Sequence, residues 1–248
     1  MRVSTHTTIR QIALHVPGAT EIFQQEGIDY CCGADRTLEE ACRDAAVPAE
    51  HITLRLGKLA VPDEQEPAPN WQIEPLFLLT SHIVTQHHEF ARRELPRLSQ
   101  LALQVMSAHG ARHPELARVE LLLRAMTREF SLHMMREEQA LFPYIVQLEE
   151  CDRRGELPPP APFGTVESPV RSMMAEHDSA AEMLRELRYL TANFTAPADA
   201  CPTYQRFCAE LKSFEADTHE HIHLEDNVLF PRALELETTS RFVLLGNL

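Results

Sequence analysis

The stretches HMMREEQALFP (residues 133–143) and HIHLEDNVLFP (residues 221–231) repeat one pattern at two places in the chain. In each stretch a histidine stands four residues before a glutamate, which gives the pairs His133–Glu137 and His221–Glu225. Residues i and i+4 of an α-helix lie one above the other on the same face, so each pair can direct an imidazole nitrogen and a carboxylate at one point. Two such pairs predict a site for two metal ions.

A lone histidine precedes each pair at nearly the same distance, His88 before the first and His177 before the second. The chain therefore repeats a unit of two helices. One helical pair cannot bury its apolar face alone, whereas two pairs form a four-helix bundle. We predict an all-α fold, with an antiparallel four-helix bundle preceded by a small helical N-terminal domain.

The ligand candidates lie on the apolar faces of the predicted helices. Steps of four and three residues, which follow the packed face of a helix, give one face per helix: Phe77, Ser81, Val84, His88, Ala91, Leu95 and Leu98; Val119, Leu123, Met126, Phe130, His133, Glu137, Ala140 and Tyr144; Val166, Val170, Met173, His177, Ala180, Leu184 and Leu187; Phe207, Leu211, Phe214, Thr218, His221, Glu225 and Val228. His87 gives a poorer face, because it continues through Glu94 and Arg97.

Six polar groups on these faces would be costly to bury unless something compensates them. A metal pair would do so, and four neutral imidazoles with two carboxylates suit two octahedral irons better than tetrahedral zinc. The alternative is a buried network of hydrogen-bonded histidines and glutamates without metal.

With HMMREEQALFP and EHIHLEDNVLFPRAL, the chain resembles the hemerythrin-like domain of the repair of iron centres family, and the resemblance covers almost the whole chain. It implies a carboxylate-bridged pair of iron ions with an oxo or hydroxo bridge. The implied terminal ligands are His88, His133, His177 and His221, and the implied bridges are Glu137 and Glu225.

A second part of the resemblance is DYCCG (residues 29–33), which is similar to the family's small N-terminal domain with two adjacent cysteines. Gly27 is a predicted helix end and TLEE (residues 37–40) a predicted capping box, so Cys31 and Cys32 lie on a loop. A nearby helix N-terminus would favour their thiolates. Adjacent cysteines pair only with strain, which favours a reactive or metal-capturing pair that serves iron transfer or redox chemistry; an inert packed pair is the alternative.

The sequence divides into a small helical domain (residues 1–60), a proline-rich linker (residues 61–70) and the bundle (residues 71–238). A second proline cluster, residues 157–163, is the predicted connection between the second and third bundle helices.

Composition bounds the partners. A net charge of −14 argues against nucleic-acid binding. We expect a cytoplasmic protein without a membrane segment, because no signal peptide or long apolar run is present and the cysteines show no disulfide framework. Monomer and homodimer both stay open.

Four further residues lie near the predicted ligands. Glu129, one turn before His133, and Glu176, beside His177, are candidates for supporting the ligands or an access path. His219 and His223 lie off the apolar face, and we expect them on a solvated one.

The resemblance implies that the protein helps to repair iron–sulfur clusters damaged by nitrosative or oxidative stress. It would donate iron to damaged iron–sulfur proteins or an apo cluster scaffold. One alternative is an enzyme that reduces nitric oxide to nitrous oxide at the two irons, with an electron donor that the sequence does not identify. A sensor or carrier of oxygen or nitric oxide is another, and no catalytic residue is assigned.

Overall fold

The computed structural model describes residues 3–59 and 69–246, with side chains described up to residue 239. Over these residues the secondary structure is helical and contains no strand, which confirms the predicted all-α class. Of the predicted linker, residues 61–68 lie outside the described part. The chain forms two compact units, Met1–Pro75 with His219–Pro231, and Leu76–Thr218 with Arg232–Leu248.

Residues 3–59 of the first unit form four short helices: α1 (Ile9–His15), α2 (Ala19–Glu26), α3 (Leu38–Asp44) and α4 (Ala49–Gly57). Thr37 and Glu40 form the predicted capping box at the start of α3, and Gly27 ends α2 in the left-handed conformation (φ 70°). The core of this unit is apolar and includes Ile9, Ile12, Phe23, Tyr30, Leu38 and Ile52.

The remaining helices are mostly long: α5 (Leu76–His82), α6 (Glu89–His109), α7 (Leu116–Arg136), α8 (Phe142–Arg154), α9 (Glu167–Leu190), α10 (Pro202–Leu224) and α11 (Phe230–Gly246). Within the second unit, α6, α7, α9 and the first part of α10 enclose one apolar core that includes Leu98, Leu123, Met126, Leu184, Phe207 and Phe214. This arrangement is the expected four-helix bundle. The irregular stretch between α8 and α9 contains the predicted proline-rich connection.

Within the described ranges, three π-helical turns interrupt the helices, at Ile83–His88, Glu137–Leu141 and Glu225–Leu229. At the end of each, a backbone N–H reaches the carbonyl five residues back; for example, Phe142 donates to Glu137 and Phe230 to Glu225. A π-turn inserts one residue into the helical period. Each turn therefore shifts the buried face by one position.

Proline accounts for the second and third π-turns. Pro143 and Pro231 follow them by two residues, and a proline neither donates to the carbonyl four residues back nor leaves room for it. A wider turn accommodates this defect without ending the helix. The two copies of Leu-Phe-Pro in the repeated stretches thus encode the two π-turns.

The insertions explain where the predicted apolar faces are wrong. Phe77 is 50% exposed and Ser81 is exposed, whereas Leu76, Leu79 and Ile83 are buried. On the second long helix Ala140 is exposed, and Leu141 takes the buried position. The predicted face of α9 and that of α10 with the third π-turn are buried throughout.

No helix in the described ranges has the combination of length and apolarity that crossing a membrane requires.

Candidate metal centre

The six predicted ligands are held at corresponding points of the long helices. His88 ends the first π-turn, while Glu137 and Glu225 begin the second and third. His133, His177 and His221 lie in α7, α9 and α10. All six side chains are buried, and both carboxylates and His88 have no exposed surface. The π-turns, which often mark functional sites, therefore coincide with half of the predicted ligands.

The Nε2 atoms of the histidines face the two carboxylates or one another. Oε2 of Glu137 lies 3.2 Å from Nε2 of His133 and 3.4 Å from Nε2 of His88. Nε2 of His177 lies 3.1 Å from Nε2 of His133. Nε2 of His221 lies 2.9 Å from Oε1 of Glu225.

These donors form two groups, each able to hold one cation. His88, Glu137, His221 and Glu225 form one group, and His133, Glu137, His177 and Glu225 form the other. Within each group the ligand atoms lie within 4.8 Å of one another. Each carboxylate belongs to both groups, so Glu137 and Glu225 are placed where they can bridge two ions.

The outer nitrogens of two histidines contact further carboxylates. Nδ1 of His133 lies 3.0 Å from Oε2 of Glu176, one of the two residues that the sequence places beside the ligands. Burial by itself raises the pKa of Glu176, but hydrogen bonds from His133 and Arg136 outweigh it and lower the pKa to about 2. Glu176 is therefore a carboxylate at neutral pH.

Sequence reasoning missed Glu138. Its Oε1 lies 2.6 Å from Nδ1 of His88. The two residues belong to different helices, so their separation in the sequence follows no helical period. The signal available in the sequence was the pair of adjacent glutamates at the start of the π-turn.

Glu129 lies elsewhere. It is exposed, and its ion-pair partner at 4.0 Å is Arg128. The structure does not bring it to the ligand groups, because the side chain projects from the solvent-facing side of α7.

His87, the poorer candidate from the sequence, is buried but contacts Asp217, with 3.0 Å between Nδ1 and Oδ1. His88, not His87, lies in a ligand group.

Residues 79–233 match the hemerythrin HHE cation binding domain, and residues 5–60 match a family described as a domain of unknown function (DUF542). The iron-sulfur cluster repair protein YtfE of Escherichia coli is 35% identical over 224 residues, which cover 90% of this chain and 94% of that protein. The proteins of the same name from Citrobacter koseri and Salmonella newport are 34% and 36% identical, with the same two coverages.

The chain belongs to the repair of iron centres family. All six predicted ligands fall within the range that matches the cation-binding domain of this family. Cys31 and Cys32 fall within the N-terminal match.

The cysteine loop of this family member is held by Asp29. Oδ1 of Asp29 accepts hydrogen bonds from the backbone N–H groups of Cys31, Cys32 and Gly33 at 3.1, 3.1 and 3.2 Å. The thiol of Cys31 lies 3.7 Å from the sulfur of Cys32, and no disulfide joins the two cysteines.

The expectation that a helix N-terminus favours both thiolates is wrong for Cys31. Its hydrogen bond to Cys32 and its burial raise the pKa of the Cys31 thiol well above the ordinary value. The helix that follows begins only at Leu38, too far along the chain to act on Cys31. Cys31 is 3% exposed, whereas Cys32 is partly exposed.

The solvated face predicted for His219 and His223 is wrong for His223. This residue is 4% exposed, its Nδ1 lies 3.0 Å from the Asn227 amide, and its ring lies 5.6 Å from that of Tyr30. Burial lowers the pKa of His223 to about 4, so the imidazole is neutral near pH 7.

Proposed function

We propose that the protein binds two iron ions between its bundle helices and donates iron for the repair of iron–sulfur clusters damaged by nitrosative or oxidative stress. The observation that carries the proposal is the pair of buried four-donor groups that share Glu137 and Glu225. The relatives named for iron–sulfur cluster repair, which match over 90% of this chain, supply the biological process.

The protonation of the histidines supports the presence of cations. Nδ1 of His133 faces the Glu176 carboxylate and Nδ1 of His88 faces Glu138. A neutral imidazole has a single N–H. With that N–H on Nδ1, both Nε2 lone pairs would point at the same oxygen of Glu137, so a site without metal would have to take up additional buried protons on these residues.

Cations between the donors would convert both contacts into coordination and would also offset the burial of the two carboxylates. The donor set therefore fits a metal pair better than a metal-free polar network.

The chemistry of the donors supports iron. Imidazole and carboxylate ligands suit iron in six-coordinate sites, whereas structural zinc prefers four ligands in a closed tetrahedron. His88 and His221 would hold one ion, His133 and His177 the other, and both carboxylates would bridge them. Bound iron would supply an exchangeable ferrous ion and two adjacent positions for small ligands such as nitric oxide or oxygen.

Cys31 and Cys32 are proposed to take part in moving the iron. In the first compact unit their loop packs against residues 219–231, the segment that carries His221 and Glu225. The Asn227 amide donates to the Cys31 carbonyl at 3.4 Å. Thiolate sulfur is a good ligand for ferrous iron on its way to a cluster.

The proposed recipients are damaged iron–sulfur proteins or an apo cluster scaffold, in the cytoplasm. The acidic chain would contact these partners directly, protein to protein, and not through nucleic acid.

The experiment is anaerobic iron analysis and Mössbauer spectroscopy, followed by iron transfer to an apo iron–sulfur protein. We expect about two irons per chain in the wild type. His133→Ala and His221→Ala each remove a donor from one group only, so each variant should retain about one iron per chain and transfer less iron. His51→Ala, a change at an exposed histidine of the first unit, is the matched control.

Substitution of both Cys31 and Cys32 by serine should leave iron in place but slow its transfer. Unchanged transfer would contradict the role of the loop. Catalytic formation of nitrous oxide without any transfer of iron would contradict the proposed function as a whole.

A further inference from the structure

Two histidines of the candidate centre are supported from outside in the same way. Oε1 of Glu138 lies 2.6 Å from Nδ1 of His88 and accepts a hydrogen bond from Arg92 at 2.5 Å. We call these three residues the His88 chain.

The second arrangement, the His133 chain, repeats the first with different residues. Oε2 of Glu176 lies 3.0 Å from Nδ1 of His133 and accepts a hydrogen bond from Arg136 at 2.6 Å. The other oxygen of Glu176 accepts from the Ser172 hydroxyl at 3.2 Å. In both chains one carboxylate oxygen is shared by an imidazole and a guanidinium.

The sequence repeat does not produce this likeness. In the repeat, His88 corresponds to His177, not to His133. The carboxylate of the His88 chain comes from a π-turn, and that of the His133 chain comes from α9. The same arrangement therefore arises twice from unrelated positions, which indicates a shared purpose.

Each chain leads from the buried centre to the surface. The side-chain exposure rises from 0% at His88 through 25% at Glu138 to 37% at Arg92. In the His133 chain it rises from 7% through 32% at Glu176 to 44% at Arg136. The two carboxylates are thus paired with arginine at the rim of the bundle, where ionised groups are tolerated.

The hydrogen-bonding inventory fixes the orientation of both imidazoles. A carboxylate paired with arginine accepts hydrogen bonds and donates none. Nδ1 must then carry the hydrogen, and Nε2 presents its lone pair to the interior of the centre. The arginine also withdraws charge from the carboxylate, which limits how basic the imidazole becomes.

We propose that Glu138 and Glu176 are positioning residues that fix His88 and His133 as Nε2 ligands, and that Arg92 and Arg136 temper these ligands so that the iron remains releasable. This inference rests on the proposed iron centre. His88 and His133 belong to different donor groups, so the His88 chain and the His133 chain each control one of the two metal positions.

The test is the rate at which the iron-loaded protein, kept anaerobic, loses ferrous iron to an excess of a ferrous chelator. Glu138→Ala and Glu176→Ala should each release one of the two irons about 10- to 100-fold faster than the wild type, the usual effect of losing such a partner. Glu138→Gln and Glu176→Gln should lie between, because the amide oxygen still accepts from Nδ1 but carries no charge.

Glu89→Gln is the matched control. Glu89 pairs with Arg92 at 2.9 Å and is largely exposed, so its loss removes a neighbouring carboxylate but leaves the Arg92–Glu138 pair and the carboxylate on His88 in place. Its release rate should equal that of the wild type.

A second measurement uses the iron-free protein. Nitrogen-15 NMR of the histidine side chains should show His88 and His133 with the hydrogen on Nδ1 in the wild type and the glutamine variants. The alanine variants should show mixed tautomers. The glutamine variants keep the side-chain volume, so they decide the matter if an alanine variant does not fold.

Release rates within twofold of the wild type in all four variants, with unchanged tautomers, would overturn the inference and leave the iron centre intact. A wild-type protein that binds no iron would instead overturn the proposed function. In that case the tautomers of the iron-free protein would still decide whether the two chains orient their histidines.

Discussion

The candidate metal centre and the cysteine loop both carry chemically reactive side chains, but the surroundings of these side chains differ. At the centre, six buried donors converge, and carboxylates contact the outer nitrogens of His88 and His133. In the loop, burial and the contact with Cys32 keep the Cys31 thiol protonated. The donors of the centre thus converge without any metal present. In the loop, by contrast, the Cys31 thiol is buried and protonated, and Cys32 is the partly exposed thiol. Residue type alone therefore does not set reactivity, because burial and neighbouring groups decide which protonation state of a side chain is stable.

The number of irons bound by two variants shows whether the two donor groups share their carboxylates. Glu137→Ala removes a donor common to both groups and should abolish binding of both irons. His177→Ala removes a donor from one group only and should leave about one iron per chain. Iron analysis under anaerobic conditions measures both. Glu129→Ala, at an exposed glutamate of α7, is the control and should retain the wild-type iron content.

The iron-free centre should depend on the Glu137 carboxylate for its stability. In the iron-free protein, Glu137→Leu should lower the free energy of unfolding by about 3–5 kcal/mol, because it removes the buried carboxylate that pairs with His88 and His133 and leaves these histidines without that partner. Urea unfolding of the two iron-free proteins measures this. A more stable variant would mean that the iron-free centre is strained towards metal binding.

The loop side of the comparison predicts unequal thiols. Iodoacetamide should modify Cys32 at least about 10-fold faster than Cys31, because the thiolate is the reacting form and Cys31 is both buried and hard to ionise. Peptide mass spectrometry after timed labelling gives the two rates. Asp29→Ala should narrow the difference, since it removes the acceptor that holds three backbone N–H groups of the loop. Equal rates in the wild type would show that the loop does not protect Cys31.

The smallest predicted effect is on stability. It comes from a histidine that contacts carboxylates outside the centre. His113 lies 3.0 Å from Asp199 and 3.1 Å from Glu115. The hydrogen bond to Asp199, with a weaker one to Glu115, raises the pKa of His113 above its ordinary value.

A raised folded-state pKa means that this stabilisation is complete below the ordinary histidine pKa of 6.5 and is lost as the pH rises through the raised value. His113→Gln should therefore lower the urea midpoint slightly more at pH 6 than at pH 8. A larger loss at pH 8 would contradict the sign. Because the site is near solvent, the change should be far smaller than any at the centre.

Much of the fold and of the centre follows from local spacing. The four-residue interval between His133 and Glu137, repeated at His221 and Glu225, places donors on one helical face wherever a helix forms. The burial of the predicted face of α9 shows the same rule at work in an uninterrupted helix. The rule fails at Ala140 and Phe77, because a π-turn adds a residue that a regular period cannot anticipate.

The helical class, the repeat and the six donors follow from the sequence alone, since these depend on neighbours a turn apart on one helix. The tertiary structure sets which carboxylate contacts which histidine: Glu138 contacts His88, and Glu176 contacts His133. It also decided the burial of Cys31 and His223. These features depend on contacts between residues far apart in the chain, and no spacing along the sequence records such contacts.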